Sequence, residues 1–272
     1  MNKKKVDIDL DQYYAVYKSS DTMLKELITS YCNLYGWDRS LNWIDVSNIT
    51  DMSDLFFNTK FNGDISSWDI SNVHDMKGMF WGTPFNGDIS KWNVSNVERM
   101  TFMFYNSKFN NNISNWDVSN VNNMSGMFRD TLFNKDINKW DVSNVTNMQG
   151  MFEHSQFTGD ISNWNVSNVI NMQNMFSNSK FNGDISNWDV SNVDNMEAMF
   201  QKSKFTGDIS KWNTGKCEKM KSMFYRSKFN GDISNWDVSN VHEISYMFKN
   251  SEFTGDISKW NPIQVTTMLK MF

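Results

Sequence analysis

Phe181-Asn-Gly-Asp-Ile-Ser-Asn-Trp-Asp-Val-Ser-Asn-Val193 decides how this chain folds, because near copies of it recur along the whole sequence. At a spacing of 24 residues, the interval from Trp68 to Trp92, tryptophan forms one column: Trp68, Trp92, Trp116, Trp140, Trp164, Trp188, Trp212, Trp236 and Trp260. Such a register marks a repeat array, in which each unit packs mainly on its neighbours. That overrides the one-or-two-domain expectation of a 272-residue chain and predicts a single array.

Within the unit from Phe181 to Lys204, Asn182-Gly183-Asp184 reads as a tight turn, since Asn and Gly tolerate positive φ and Asp bonds its own following backbone. Ile185, Trp188 and Val190 follow the L-x-x-L-x-L spacing of leucine-rich repeats, predicting a short strand. Ser191 or Asn192 is placed to cap a helical turn, which Val193, Met196, Met199 and Phe200 continue at helical spacing. The expected architecture is therefore an α/β repeat solenoid of 24-residue turn, strand and short-helix units. The units begin near Trp37 and run to 272 as nine full copies and a truncated tenth. The first is degenerate: Leu41 stands in the Ile column and Ile44 in the Trp column.

Residues 1–36 differ and are expected to cap the array. Val6, Ile8 and Leu10 alternate with acidic residues as in a short strand. Ser20 or Asp21 then caps a helix whose apolar stripe is Leu24, Leu27, Ile28, Tyr31 and Leu34, with Gly36 as its stop.

Composition bounds the function. A formal net charge of −5, a pI near 5.2 and no basic run longer than Lys3-Lys4-Lys5 argue against a nucleic-acid partner. Cys32 and Cys217 are too few and too far apart for a disulfide framework. Met1 to Leu10 is too polar for a signal peptide, and no stretch is long and apolar enough for membrane insertion. A cytoplasmic location is expected unless export uses another route.

The phrase quoted above, the recurring Met-x-x-Met-Phe and the leader Leu24-Lys-Glu-Leu-Ile-Thr-Ser-Tyr-Cys-Asn-Leu-Tyr-Gly36 resemble the BspA-type leucine-rich repeat proteins, the DUF285 group. The resemblance covers about 24 to 272. It implies a right-handed, leucine-rich-like superhelix of the kind found in surface and host-interaction proteins of mycoplasmas, anaerobic bacteria, some protists and large viruses. The chain differs from secreted members in lacking an export signal.

The tryptophan and methionine columns read as core, although exposed aromatics in register would suit sugars or proline-rich peptides. Asp64, Asp88, Asp136, Asp160, Asp184, Asp208, Asp232 and Asp256 form a column broken by Asn112. One carboxylate per turn is too few for the ligand set of calcium, so amide-capping turns are expected and no metal or cofactor. The Asp69 column, mixed with Asn, reads as a stacked side-chain ladder. His74, His154 and His242 lie too far apart to share a metal or relay, and no Ser or Cys has a base in register, so an enzyme is not expected.

Residues that vary between copies are free to serve a partner. The position after Met-Phe reads Phe57, Trp81, Tyr105, Arg129, Glu153, Ser177, Gln201, Tyr225 and Lys249, with Phe102 nearby in another variable column. Phe57, Trp81, Phe102, Tyr105 and Arg129 are therefore the expected partner-binding residues, being of types enriched in interface hot spots. The expected function is a noncatalytic scaffold for protein–protein interaction. The competing readings are a carbohydrate-binding adhesin and a structural spacer or assembly component, including of a virion. A monomer is expected, because Pro262 and Lys259 blunt the last strand edge.

Overall fold

A computed structural model describes residues 21–272. Val6, Ile8 and Leu10, expected as a strand, lie outside the described residues, as do Ser20 and the side chain of Asp21, expected as helix caps. Helix α1 spans Asp21–Tyr35. Leu24, Leu27, Ile28 and Cys32 are buried against the first unit, and Tyr31 packs on Trp43 with ring centroids 5.1 Å apart. Leu34, at the end of the expected stripe, is exposed instead. Gly36 adopts φ +112°, its amide bonds the Cys32 carbonyl at 2.9 Å, and the helix ends there. Lys25 Nζ donates to the Asp54 carbonyl at 2.7 Å and ties α1 to the first unit.

Beyond α1 the described residues hold no further helix and no extended strand. Successive units meet at isolated parallel bridges, from Asp51 with Asp75 to Glu243 with Thr267. The segment expected to be a short helix is a chain of overlapping turns. In the unit around Met76, the amides of Met79, Trp81 and Thr83 bond the carbonyls of Met76, Gly78 and Phe80. Gly78 (φ +61°) and Gly82 (φ +71°) supply the positive φ that type II turns need at their third residue. The same two columns carry positive φ throughout, as at Ala198 and Lys202.

The turns win because they leave alternate amides free to bond sideways. Met76, Gly78, Phe80 and Gly82 donate to Arg99, Thr101, Met103 and Tyr105 of the next unit at 2.8 to 2.9 Å. A helix would have used those donors internally. Met-x-x-Met-Phe spacing fits both structures, since both bury residues three apart.

The expected strand at Ile185 to Val190 is likewise turned: Trp188 N bonds the Ile185 carbonyl and Val193 N the Val190 carbonyl. Three Asx turns fix this unit. Ser186 N donates to Asp184 Oδ1 at 2.9 Å, Ser191 N to Asp189 at 3.0 Å and Glu197 N to Asn195 at 3.0 Å.

Around this second edge, units are joined by side chains. Trp188 Nε1 donates to the Ile161 carbonyl at 3.1 Å, Asn192 Nδ2 to the Ser167 carbonyl at 2.6 Å, and Thr206 N to Asn182 Oδ1 at 2.8 Å. The interior records the difference between the edges. Phe176 and Phe200, near the backbone-bonded edge, stack with centroids 5.8 Å apart, whereas Phe181 and Phe205 stand 6.4 Å apart. The stack therefore opens like a fan, with the backbone-bonded edge on the inside.

Candidate functional site

The column after Met-Phe sits on that inner edge. Met79 and Phe80 turn inward to the core, so the next residue, Trp81, turns outward and stays half-buried against its neighbours. The structure brings all five expected partner residues together. The Phe57 and Trp81 rings meet edge to face at 5.0 Å and 83°. Trp81 lies 4.9 Å from Tyr105 and 5.4 Å from Phe102, and the Arg129 guanidinium sits 5.4 Å over the Tyr105 ring. Phe102 holds φ +55°, unusual for a bulky side chain, and its ring lies over Gly126. A Cβ at Gly126 would come within 2.2 Å of that ring, so the glycine makes room for it.

The aromatic ridge ends in a charged group that single columns do not reveal. Arg129 Nη1 lies 3.1 Å from the buried Glu153 Oε2, and Asp130 Oδ1 lies 2.9 Å from His154 Nδ1. Glu153 Oε2 and Arg129 Nε have no hydrogen-bond partner, the ion pair being out of hydrogen-bond geometry. Burial raises the Glu153 pKa, and Arg129 pulls it back. The one available signal was a Glu in a column that is aromatic at Trp81 and Tyr105.

The other sequence candidates are occupied structurally. From Trp68 to Trp236 the column is buried, each indole N–H bonding a carbonyl of the preceding unit, and Trp260 is half-buried. The repeating Asp columns accept amides two residues on; the Ser186 amide holds the Asp184 carboxyl below the usual range, and the Ser191 side chain, followed by its amide, does so at Asp189. Asn112 makes the same bond to Ser114 at 3.0 Å. Burial pushes the Cys32 thiol up to about 11 and the Cys217 thiol to about 12. Among the described residues, no helix is long and apolar enough to cross a membrane and no side-chain cluster suits a metal ion.

A second surface was not anticipated. The asparagines after Ser, read as helix caps, form a ladder. Asn96, Asn120, Asn144, Asn168 and Asn192 each donate Nδ2 to the carbonyl of the residue before the preceding unit's ladder position, at 2.6 to 2.7 Å. Their outer side walls a polar groove, whose other wall holds the residue two positions on. One stretch, of about 550 Å³, runs from His74 to Asn144, and the next, of about 800 Å³, from Asn144 to His242.

No curated protein matches the chain. No solved structure matches it. A family model does, at 25–131, 83–182, 124–228 and 202–272, so its matches together span nearly all of the described residues. The chain thus belongs to the family described as Mycoplasma protein of unknown function, DUF285.

Proposed function

We propose that this chain is a noncatalytic, leucine-rich-like solenoid of the BspA type that binds a protein partner through the ridge of Phe57, Trp81, Phe102, Tyr105 and Arg129. The observation that carries the reading is the ridge itself: four aromatic rings and an arginine in mutual contact, partly exposed, on an edge stiffened by unit-to-unit backbone bonds. Aromatic and Arg side chains already ordered by their neighbours lose little freedom on binding, which is what interface anchors require.

A carbohydrate reading is less well supported. The Trp column is buried, and the ridge rings meet at 83°, 50° and 44°, which presents edges more than the coplanar face on which a sugar ring stacks. Exchanging Tyr105 for a photoreactive phenylalanine analogue in the full chain tests the reading, with the same exchange at the exposed Leu132 as control. In extracts of cells expressing the chain, covalent capture of a protein from position 105 and not 132 is expected. With the analogue kept at 105, the variant Trp81→Ala, Arg129→Ala should lose capture while melting cooperatively, since truncating such anchors typically costs more than ~1 kcal/mol each. Equal capture from both positions, or capture that survives the Trp81→Ala, Arg129→Ala variant, overturns the reading; absence of any adduct leaves the spacer function as the better one.

A further inference from the structure

We infer that the asparagine-walled groove is a second binding surface, fitted to an extended, lysine-bearing polypeptide in the polyproline II conformation lying along the stack. Three observations converge on it. The first is a row of acceptors without partners. Each ladder asparagine commits one Nδ2 hydrogen to a backbone carbonyl, and among the described residues only the Oδ1 of Asn192 has a partner, Lys216 Nζ at 2.6 Å. A chain whose amides are free of internal hydrogen bonds supplies the matching donors, and polyproline II is such a conformation.

The second is charge. Glu98, Asp194 and Glu218 stand on the facing wall, and none makes an ion pair among the described residues, whereas Arg99, Lys221 and Lys228 do pair elsewhere on the surface. Among the described residues, Lys216 is the one lysine or arginine lining the groove. A partner carrying ammonium groups complements this wall; an acidic one does not.

The third is register. Along the groove floor, the amide of each wall residue bonds the carbonyl of its counterpart one unit back, as Ile170 to Thr146, Asp194 to Ile170 and Glu218 to Asp194, at 2.8 to 2.9 Å. Such bonding sets neighbouring backbones ~4.8 Å apart, so two units advance roughly 9.6 Å. A polyproline II helix advances roughly 9.3 Å per three-residue turn. A β-strand repeats its side chains every ~6.7 Å and falls out of step at once. Glu98 and Asp194, four units apart, are thus roughly 19 Å distant, close to six polyproline II residues. Side chains on every third residue of the guest therefore meet alternate units of the groove.

Fluorescence anisotropy on the full chain tests this with labelled twelve-residue peptides. The probe is (Lys-Ser-Thr)4. Its controls are a peptide of identical composition with the four lysines at alternate positions, and (Glu-Ser-Thr)4. The period-three probe should bind at least roughly tenfold tighter than the rearranged one, weaken with added salt, and leave the acidic peptide unbound. The variant Glu98→Gln, Asp194→Asn, Glu218→Gln changes only groove-wall carboxylates and should lose roughly tenfold in affinity. The ridge variant Trp81→Ala, Tyr105→Ala, Arg129→Ala should bind the probe unchanged, which separates this surface from the ridge. Equal affinity for the two lysine peptides, binding of the acidic one, or no effect of the carboxylate variant would overturn the assignment, as would a measurable loss in the ridge variant or no binding at all.

Discussion

At the scale of single residues, the aspartates illustrate how a column that looks like a ligand set serves the fold. Asp160 Oδ1 accepts the Ser162 amide at 2.9 Å, and this bond is the leading cause of its lowered pKa; the Ser186, Ser210 and Ser234 amides do the same for Asp184, Asp208 and Asp232. A carboxylate whose folded pKa lies below its unfolded value contributes stability above the unfolded value and loses it as pH falls through the folded one. Stability is therefore expected to hold from neutrality down to near the ordinary value of 3.8 and to decline below it. Glu153 acts in the opposite sense, since burial raises its pKa and protonation favours its place in the fold, but it is one group against many. Asp160→Asn should keep the turn, as Asn112 does naturally, so it should melt like the parent at neutral pH and show a shallower acid decline. Asp160→Ala should melt lower at neutral pH. Equal destabilisation by both, followed by circular dichroism, would mean that the charge and not the amide bond matters.

At the scale of the element, the decisive fact is that one spacing serves two structures. The period, the inward Trp and Met columns and the outward ridge column were legible, because they depend only on which residues face in. The Met-x-x-Met-Phe segment was not, because apolar residues three apart suit a helical turn and a pair of linked type II turns equally. The asparagine ladder was hidden for the same reason: Ser-Asn before an apolar residue is also a helix cap signal. Ala198 separates the two conformations experimentally. It is buried at φ +55°, in a column that holds glycine at Gly78, Gly126 and Gly150. In a helix, Ala198→Gly would destabilise by about 1 kcal/mol. In the left-handed region an L-residue carries roughly 1–2 kcal/mol of strain that glycine lacks. The substitution should therefore stabilise the protein by up to about 1 kcal/mol after the entropic cost of glycine. A denaturant midpoint that falls instead would contradict the turn geometry.

At the scale of the whole molecule, stability is shared between neighbours, and the two end units differ. At one end α1 covers the first unit with Leu24, Leu27 and Ile28 and adds the Lys25 bond to Asp54. At the other, nothing in the described residues packs over the unit from Phe253, where Ile263 is 70% exposed and Phe272 66%, with Met268 and Leu269 more than half exposed. The intervening units are stacked on both sides. In such an array the free energy of opening is roughly the sum of interfaces broken, so a unit with one interface opens before a unit with two. Amide hydrogen exchange should therefore be graded. The amides of Ile244, Tyr246 and Phe248, which bond only Thr267, Leu269 and Met271 of the exposed unit, should exchange ahead of those of Met148, Gly150 and Phe152 in the middle. The first-unit amides of Met52, Asp54 and Phe56 should resemble the middle ones, because α1 supplies the second interface. Pro262 bears on the same end. Its exposed ring stands where other units have Val190 or Val238, whose amides bond no neighbouring unit, and no strand runs there, so the expected blunting of a strand edge by Pro262 does not hold and the uncovered unit should simply be weakly protected. Mass spectrometry of exchanged fragments would decide it. Protection at 244–248 equal to that at 148–152, and rising with protein concentration, would show that a second molecule covers the end.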